Sequence, residues 1–297
     1  MSETPRLSVI VIAYGMAREL PRTVLSAQSP YQREIAAGTC ELIVVDNGTV
    51  PPWSEERLPG ARVVCPPEIS PSPAPAVNWA VEHVARADHI LIAIDGARIF
   101  SDRLLAGVLE VFQHLPRAFV HTPGWHLGPQ VQMVSTQRGY DAMVEDQLMM
   151  DSGWPQRPQG LFTISTLAGS SRAGVLQPIY ESNAFALHRD DWQRLGGYDE
   201  RFVSPGGGLC NLELFGRCVA DTGTVNVALL GEGTFHQVHG GVATSGPEGT
   251  WQTLQDEHQR IFGEAYRPAE YRTFFWGWPR PELQRFLMPE AQRGGQD

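Results

Sequence analysis

The first hundred residues repeatedly alternate short apolar runs with segments of helical period, and this constrains the fold more than any other feature. Residues 7–13 (LSVIVIA) form a β-branched apolar run, as expected of a strand buried on both faces. Residues 17–28 then place Leu20, Val24 and Ala27 at helical spacing, and residues 41–45 (ELIVV) read as a second buried strand. Residues 62–64 fit a short third strand. The prolines of residues 66–75 exclude a regular element there, since each lacks an N–H and restricts the residue before it. A helical period resumes over 76–87 and leads into a fourth buried strand, residues 89–94 (HILIAI). That strand ends at Asp95-Gly96-Ala97-Arg98, and an amphipathic helix capped near Ser101 follows over 102–114. This alternation predicts an α/β fold with a mostly parallel sheet flanked by helices.

Farther along, residues 118–122, 182–187 and 225–229 read as strands, and 209–220 as a helix. A long connection spotted with Gly, Ser and Pro, residues 154–177, is of the kind that covers a site or recognises a substrate. A helix is expected over 250–262, then an aromatic segment, 271–278, that packs back onto the body, and a disordered end at 294–297.

The 297 residues suffice for one large core or two packed halves. A net charge of −10 argues against a broad nucleic-acid surface but leaves room for a local pyrophosphate pocket. No apolar run approaches the ~20 residues of a membrane span, and residues 1–6 lack the apolar core of a signal peptide. A cytoplasmic protein is therefore expected, with peripheral membrane contact left open. The four cysteines form no Cys-x-x-Cys pair, so free and mostly buried thiols are expected rather than a disulfide framework or zinc site.

Open α/β sheets bind ligands in the crevice beyond the carboxyl ends of their strands, and Tyr14, Asp46 and Asp95 converge there. SVIVIAYG at 8–15, ELIVVDNGT at 41–49, the helix carrying Asn78, LIAIDGARIF at 91–100 and LGGYDERF at 195–202 together resemble the inverting glycosyltransferase family 2. The resemblance runs in order over residues 7–240. It implies a GT-A fold with a nucleotide-sugar-binding half at 1–117, an acceptor-binding and catalytic half at 118–249, and a C-terminal helix and aromatic tail at 250–297. It also implies sugar transfer from a nucleoside-diphosphate sugar, uridine-linked by family habit, to a carbohydrate or other hydroxyl acceptor, assisted by Mn²⁺ or Mg²⁺.

By this resemblance Ala13, Tyr14 and Asp46 surround the base and ribose. A carboxylate can accept from a base N–H or a ribose hydroxyl there, although Asp46-Asn47-Gly48 also reads as a plain turn. Asn78 either touches the donor or makes a hydrogen bond near its helix start. Asp95 matches the first acid of the family's Asp-x-Asp motif, which holds the cation against the donor pyrophosphate. Position 97 is Ala where the second acid belongs, and Arg98 follows. Either another side chain then completes the cation site or the cation binds weakly. Arg98 either shares in neutralising phosphate or is a solvated first-turn residue.

The missing ligand has a candidate in GTFHQVHGG at 233–241. His236 and His239 would share one face of a helical turn but point to opposite faces of a strand, so one ligand is expected, His236 preferred. The alternative for each is an ordinary loop histidine. No Glu stands between them in the His-Glu-x-x-His manner, which disfavours a zinc hydrolase.

An inverting transfer needs a base, and the family's Glu-Asp pair aligns here with Cys210-Asn211. An amide has no usable proton affinity, so Asn211 cannot serve. Glu213 can, or else it pairs with Arg217 at i,i+4; Glu181 and Asp199 are further candidates. The acceptor is expected to meet residues 121–177 and 206–213, with Trp125, His126 and Trp154 as sugar-stacking or packing residues. Ala97 and Asn211 also admit a degenerate member that binds a nucleotide sugar without turnover. A sugar-phosphate nucleotidyltransferase is less favoured, because Tyr14-Gly15-Met16-Ala17 is not a basic, Gly-rich triphosphate loop.

Overall fold

The computed structural model describes residues 4–240 and 250–287, so the expected disorder at 294–297 lies outside the described residues. In chain order the elements are β1 (Leu7–Ala13), α1 (Glu19–Ser26), β2 (Cys40–Asp46), β3 (Arg62–Val64), α2 (Ala74–His83), β4 (His89–Ala93), β5 (Arg98–Phe100) and α3 (Leu104–His114). There follow β6 (Ala118–His121), β7 (Gly124–Leu127), α4 (Gln132–Ser135), α5 (Ala142–Ser152), α6 (Gly160–Thr163), β8 (Ser165–Leu167), β9 (Ala184–His188) and α7 (Arg189–Leu195). The chain closes with α8 (Cys210–Ala220), β10 (Val225–Leu230), β11 (Thr234–His236), α9 (Thr250–Phe262) and β12 (Phe274–Gly277).

The main sheet has eight strands in the order β12-β10-β6-β9-β4-β1-β2-β3. All neighbours run parallel except β9, which is antiparallel to both β4 and β6. Strands from all three sequence segments thus share one sheet. Alternate residues of β1 face two cores. Val9 and Val11 pack with α1 and α3, while Ile10 and Ile12 pack with α2 and α8. This two-sided burial is why the strand reads as an apolar run rather than an alternation.

Several boundaries moved for local reasons. The second helix begins at Ala74, before Pro75, because the first helical turn needs no proline N–H. The third begins at Leu104 without a side-chain cap, since the Ser101 hydroxyl donates instead to Glu232 and accepts from the Gly233 N–H. The aromatic segment 271–278 packs back by adding β12 parallel to β10 at the sheet edge. Within the stretch 154–177, α6 and β8 form, and β8 joins β5, β11 and β7 in a second, four-stranded sheet. Among the thiols, Cys210 and Cys218 are buried, Cys40 is half-buried and Cys65 is exposed, so fewer are buried than expected. No helix among the described residues is long and apolar enough to cross a membrane.

His121, at the end of β6, is buried against Phe119, Phe215 and Tyr271, and among the described residues its Nδ1 has no hydrogen-bond partner. Burial pushes its imidazole from 6.5 down to about 3. Above 6.5 the ring is neutral whether folded or not. Between 6.5 and 3 the unfolded chain takes up a proton that the folded protein refuses, so stability is lost as the pH falls. His121→Phe is therefore expected to remove about 3 kcal/mol of destabilisation between pH 7.5 and 4.5. Urea midpoints of both proteins at the two pH values check this; equal acid sensitivity would refute it.

Candidate active site

The chain leaves β4 at Ala93 and turns through Asp95-Gly96-Ala97 into β5. The turn is tight against β1: a Cβ on Gly96 would lie 2.7 Å from the Ile12 carbonyl oxygen, so this close approach requires glycine. The Ala97 N–H donates to Asp95 Oδ1 at 3.0 Å and the Ala97 carbonyl accepts from the Gln237 N–H at 2.9 Å. Strand β11 pairs antiparallel with β5 in the register His236↔Arg98, which delivers His236 beside the turn.

His236 Nε2 stands 3.0 Å from Asp95 Oδ2, and His239 Nε2 stands 3.8 Å from Asp95 Oδ1 and 3.1 Å from His236 Nε2. The three ligand atoms lie within 4.8 Å of one another. Both histidines therefore converge, against the expectation of one. The two-residue alternation holds only inside a strand, and His236 is the last residue of β11, so the following turn brings His239 back. Burial would raise the Asp95 carboxyl, but His236, His239 and Arg98 outweigh it and hold the group well below the usual carboxylate range. Burial pushes His236 down to about 4 despite Asp95. One hard carboxylate oxygen with two borderline imidazole nitrogens is a donor set that fits a divalent ion such as Mn²⁺.

The turn carrying His239 is itself clamped, by residues that no sequence period marks. The Val238 N–H donates to Glu145 at 2.9 Å, and the Val238 carbonyl accepts from Arg18 at 2.7 Å. Arg18 also pairs with Glu145 at 2.8 Å and Asp146 at 2.7 Å. Glu145 is fully buried, and burial pushes its carboxyl up to about 7 against the pull of the Val238 N–H and Arg18.

Arg98 lies in β5 and is buried, not a solvated first-turn residue. Its Nε is 3.4 Å from Asp95 Oδ2, and among the described residues neither Nε nor Nη1 makes a hydrogen bond. Burial lowers its pKa, opposed by Asp95 and Glu181. A buried guanidinium with two idle donors beside Asp95 suits an anionic ligand oxygen.

Glu181 reaches the same region through the main sheet. Strand β9 runs antiparallel to β4 with Ala184 opposite Ala93, so the residues before Ala184 pass alongside those after Ala93. Asn211 donates from Nδ2 to Glu181 Oε1 at 2.7 Å and to the Ser182 carbonyl at 3.1 Å, and accepts from the Tyr198 hydroxyl at 2.8 Å. Glu213 is engaged elsewhere. Both its oxygens grip Arg217, at 2.6 and 2.7 Å, and Arg217 also holds the Leu195 and Gly197 carbonyls. Asp199 is likewise paired with Arg201 at 2.6 Å.

At the neighbouring strand ends Ala13 stands in register with Asp46. The buried Asp46 carboxylate accepts from the Thr49 N–H at 2.9 Å and the Trp53 N–H at 2.7 Å, so it builds the turn after β2. Tyr14 is 68% exposed and leaves a free ring face at this edge. Asn78 is fully engaged by the Tyr198 N–H and carbonyl and by Glu200, so it fastens the turn after α7 rather than facing the edge with a free donor. Trp125 is wholly buried between Phe162 and Phe286, a packing role. His126 is also buried, and Trp154 donates to the Tyr31 hydroxyl at 3.1 Å. Two clefts elsewhere, of about 620 Å³ beside α1 and 260 Å³ beside β12, include no residue of the Asp95 cluster.

No protein-family model and no curated protein matches this sequence. In fold the chain is similar to crystal structures of S. aureus TarS. One aligns with a TM-score of 0.50 at 10% identity over 88% of this chain and 40% of TarS. TarS 1–349 gives 0.44 at 12% identity over 71% of this chain and 55% of that one. TarS 1–349 in complex with UDP gives 0.47 at 10% identity over 88% and 67%. This chain thus spans roughly half the length of the first two. The first of these alignments shows the fold, a glycosyltransferase-like α/β arrangement of GT-A type.

Proposed function

We propose that the protein transfers a sugar, with inversion, from a nucleoside-diphosphate sugar to an acceptor hydroxyl, assisted by a divalent cation. The observation that carries this reading is the convergence of Asp95, His236 and His239 beside the idle donors of Arg98, at the carboxyl edge of the parallel strands. The glycosyltransferase-like fold supports it, as does the family 2 resemblance, from which uridine is the favoured base.

Asp95, His236 and His239 would hold the cation, which supplies charge neutralisation to the leaving diphosphate. Arg98 donates to a phosphate oxygen and provides a fixed positive charge where the second acid of the motif is missing. Tyr14 offers its exposed ring to the base, over the turn that Asp46 shapes. Glu181 accepts the proton of the acceptor hydroxyl as that oxygen attacks the anomeric carbon opposite the leaving diphosphate. Asn211 anchors one Glu181 oxygen and leaves the other to the substrate, so the amide at 211 orients the base instead of being it. His236 and His239 supply the cation ligands that Ala97 cannot, and Glu181 the carboxylate that Asn211 cannot, which favours turnover over binding alone.

Titration calorimetry with UDP is expected to show affinity at least about tenfold higher with Mn²⁺ than with EDTA, a coupling of about 1.4 kcal/mol. UDP should also be released from one member of a panel of UDP-sugars. UDP binding indifferent to Mn²⁺, with no donor turned over, would overturn the reading.

A further inference from the structure

We propose that Gln132 is a positioning residue that fixes His236 in the tautomer whose Nε2 lone pair faces Asp95 and His239. The inference deepens the cation-site reading above, and rests on that reading only for the identity of what fills the site. Gln132 opens α4 and is fully buried. Its amide nitrogen donates to the His236 carbonyl at 2.9 Å. A carbonyl oxygen can only accept, so this bond fixes which end of the amide is which. Gln132 Oε1 is therefore the atom that meets His236 Nδ1.

An amide oxygen also only accepts, so His236 Nδ1 must carry the proton of that bond. A neutral imidazole has one such proton, which leaves Nε2 as a bare lone pair. That lone pair is aimed at Asp95 Oδ2, 3.0 Å away, and at His239 Nε2, 3.1 Å away. With Nδ1–H held by Gln132, it is the Nε2 side of the ring that faces Asp95 and His239 and is left for a cation.

Gln132 is in turn held in place. Its own N–H donates to His126 Nδ1 at 2.9 Å, and its carbonyl accepts from the Thr136 hydroxyl at 2.7 Å. His126 lies opposite His236 in the parallel β7–β11 register, so one strand pair aligns both rings with the amide between them. Such outer partners of a metal-binding histidine commonly control affinity by about 10- to 100-fold.

The test uses the full chain, with Mn²⁺ as the probe. In the metal-free wild type, nitrogen-15 NMR of labelled histidines is expected to show His236 as the Nδ1–H tautomer, the one that free imidazole disfavours. Gln132→Leu is expected to shift His236 toward Nε2–H and to weaken Mn²⁺ binding by about 10- to 100-fold, with UDP affinity in EDTA unchanged. Gln132→Glu, which can still accept from Nδ1–H, should keep the tautomer. An Nε2–H His236 in the wild type, or Gln132→Leu with Mn²⁺ affinity within twofold of the wild type, would overturn the proposal. If the wild type binds no Mn²⁺, the cation reading falls, and the metal-free tautomer still decides the part played by Gln132. Because that measurement is made on the wild type, it stands even if the leucine variant does not fold.

Discussion

Asp95→Ala is expected to abolish Mn²⁺ binding and to lower sugar transfer about a thousandfold or more, equivalent to about 4 kcal/mol of transition-state stabilisation. The reason is geometric. Asp95 is the only carboxylate of the three-residue cluster, and it joins two histidines that arrive from a different strand end. Without it, two imidazoles remain beside a buried guanidinium that repels a divalent ion. Asp95→Asn separates charge from structure, because the amide oxygen still accepts from the Ala97 N–H and holds the turn. Both variants should lose Mn²⁺-dependent UDP binding by calorimetry, with the asparagine variant unfolding close to the wild-type temperature. Either variant binding Mn²⁺ as the wild type does would remove Asp95 from the site.

The main sheet was legible because its central strands are buried on both faces and so read as apolar runs; residues 7–13 were recovered to the residue, as was the short, only partly buried edge strand at 62–64. The second sheet was not. Strands of three or four residues such as Arg98–Phe100 and Thr234–His236 are too short to show a period, and they exist because they pair with each other. This pairing decides the site, since the β5–β11 register is what places His236 beside Asp95. Asp95 and the two histidines could be singled out by residue type, but their convergence depends on a strand ending at residue 236. Gln132, Glu145 and Arg18 carried no signal, as a polar residue that supports a ligand from behind looks in sequence like any other. Asn78 and Glu213 illustrate the converse. Asn78 sits where the family resemblance points and Glu213 is the carboxylate two residues past the family's base position, yet each spends its hydrogen-bonding atoms on a neighbouring turn or an ion pair.

The choice of base can be decided by two matched substitutions. Glu181→Gln keeps the side-chain shape and an oxygen for the Asn211 donor, so the loop entering β9 should stay in place. What it removes is the capacity to take a proton, and general-base loss typically costs about 10²- to 10⁴-fold in kcat. The donor KM and Mn²⁺ affinity should stay within about twofold, because proton transfer from the acceptor is realised in the transition state and not in donor binding. Glu213→Gln should do the opposite. It breaks the bidentate grip on Arg217, which also tethers the Leu195 and Gly197 carbonyls, so the melting temperature should fall while kcat holds. An i,i+4 pair alone is worth about 0.2–0.5 kcal/mol, and any larger drop reports the lost tether. If Glu213→Gln stops turnover while Glu181→Gln does not, the base lies on α8, and Asn211 then serves Glu181 in a purely structural contact.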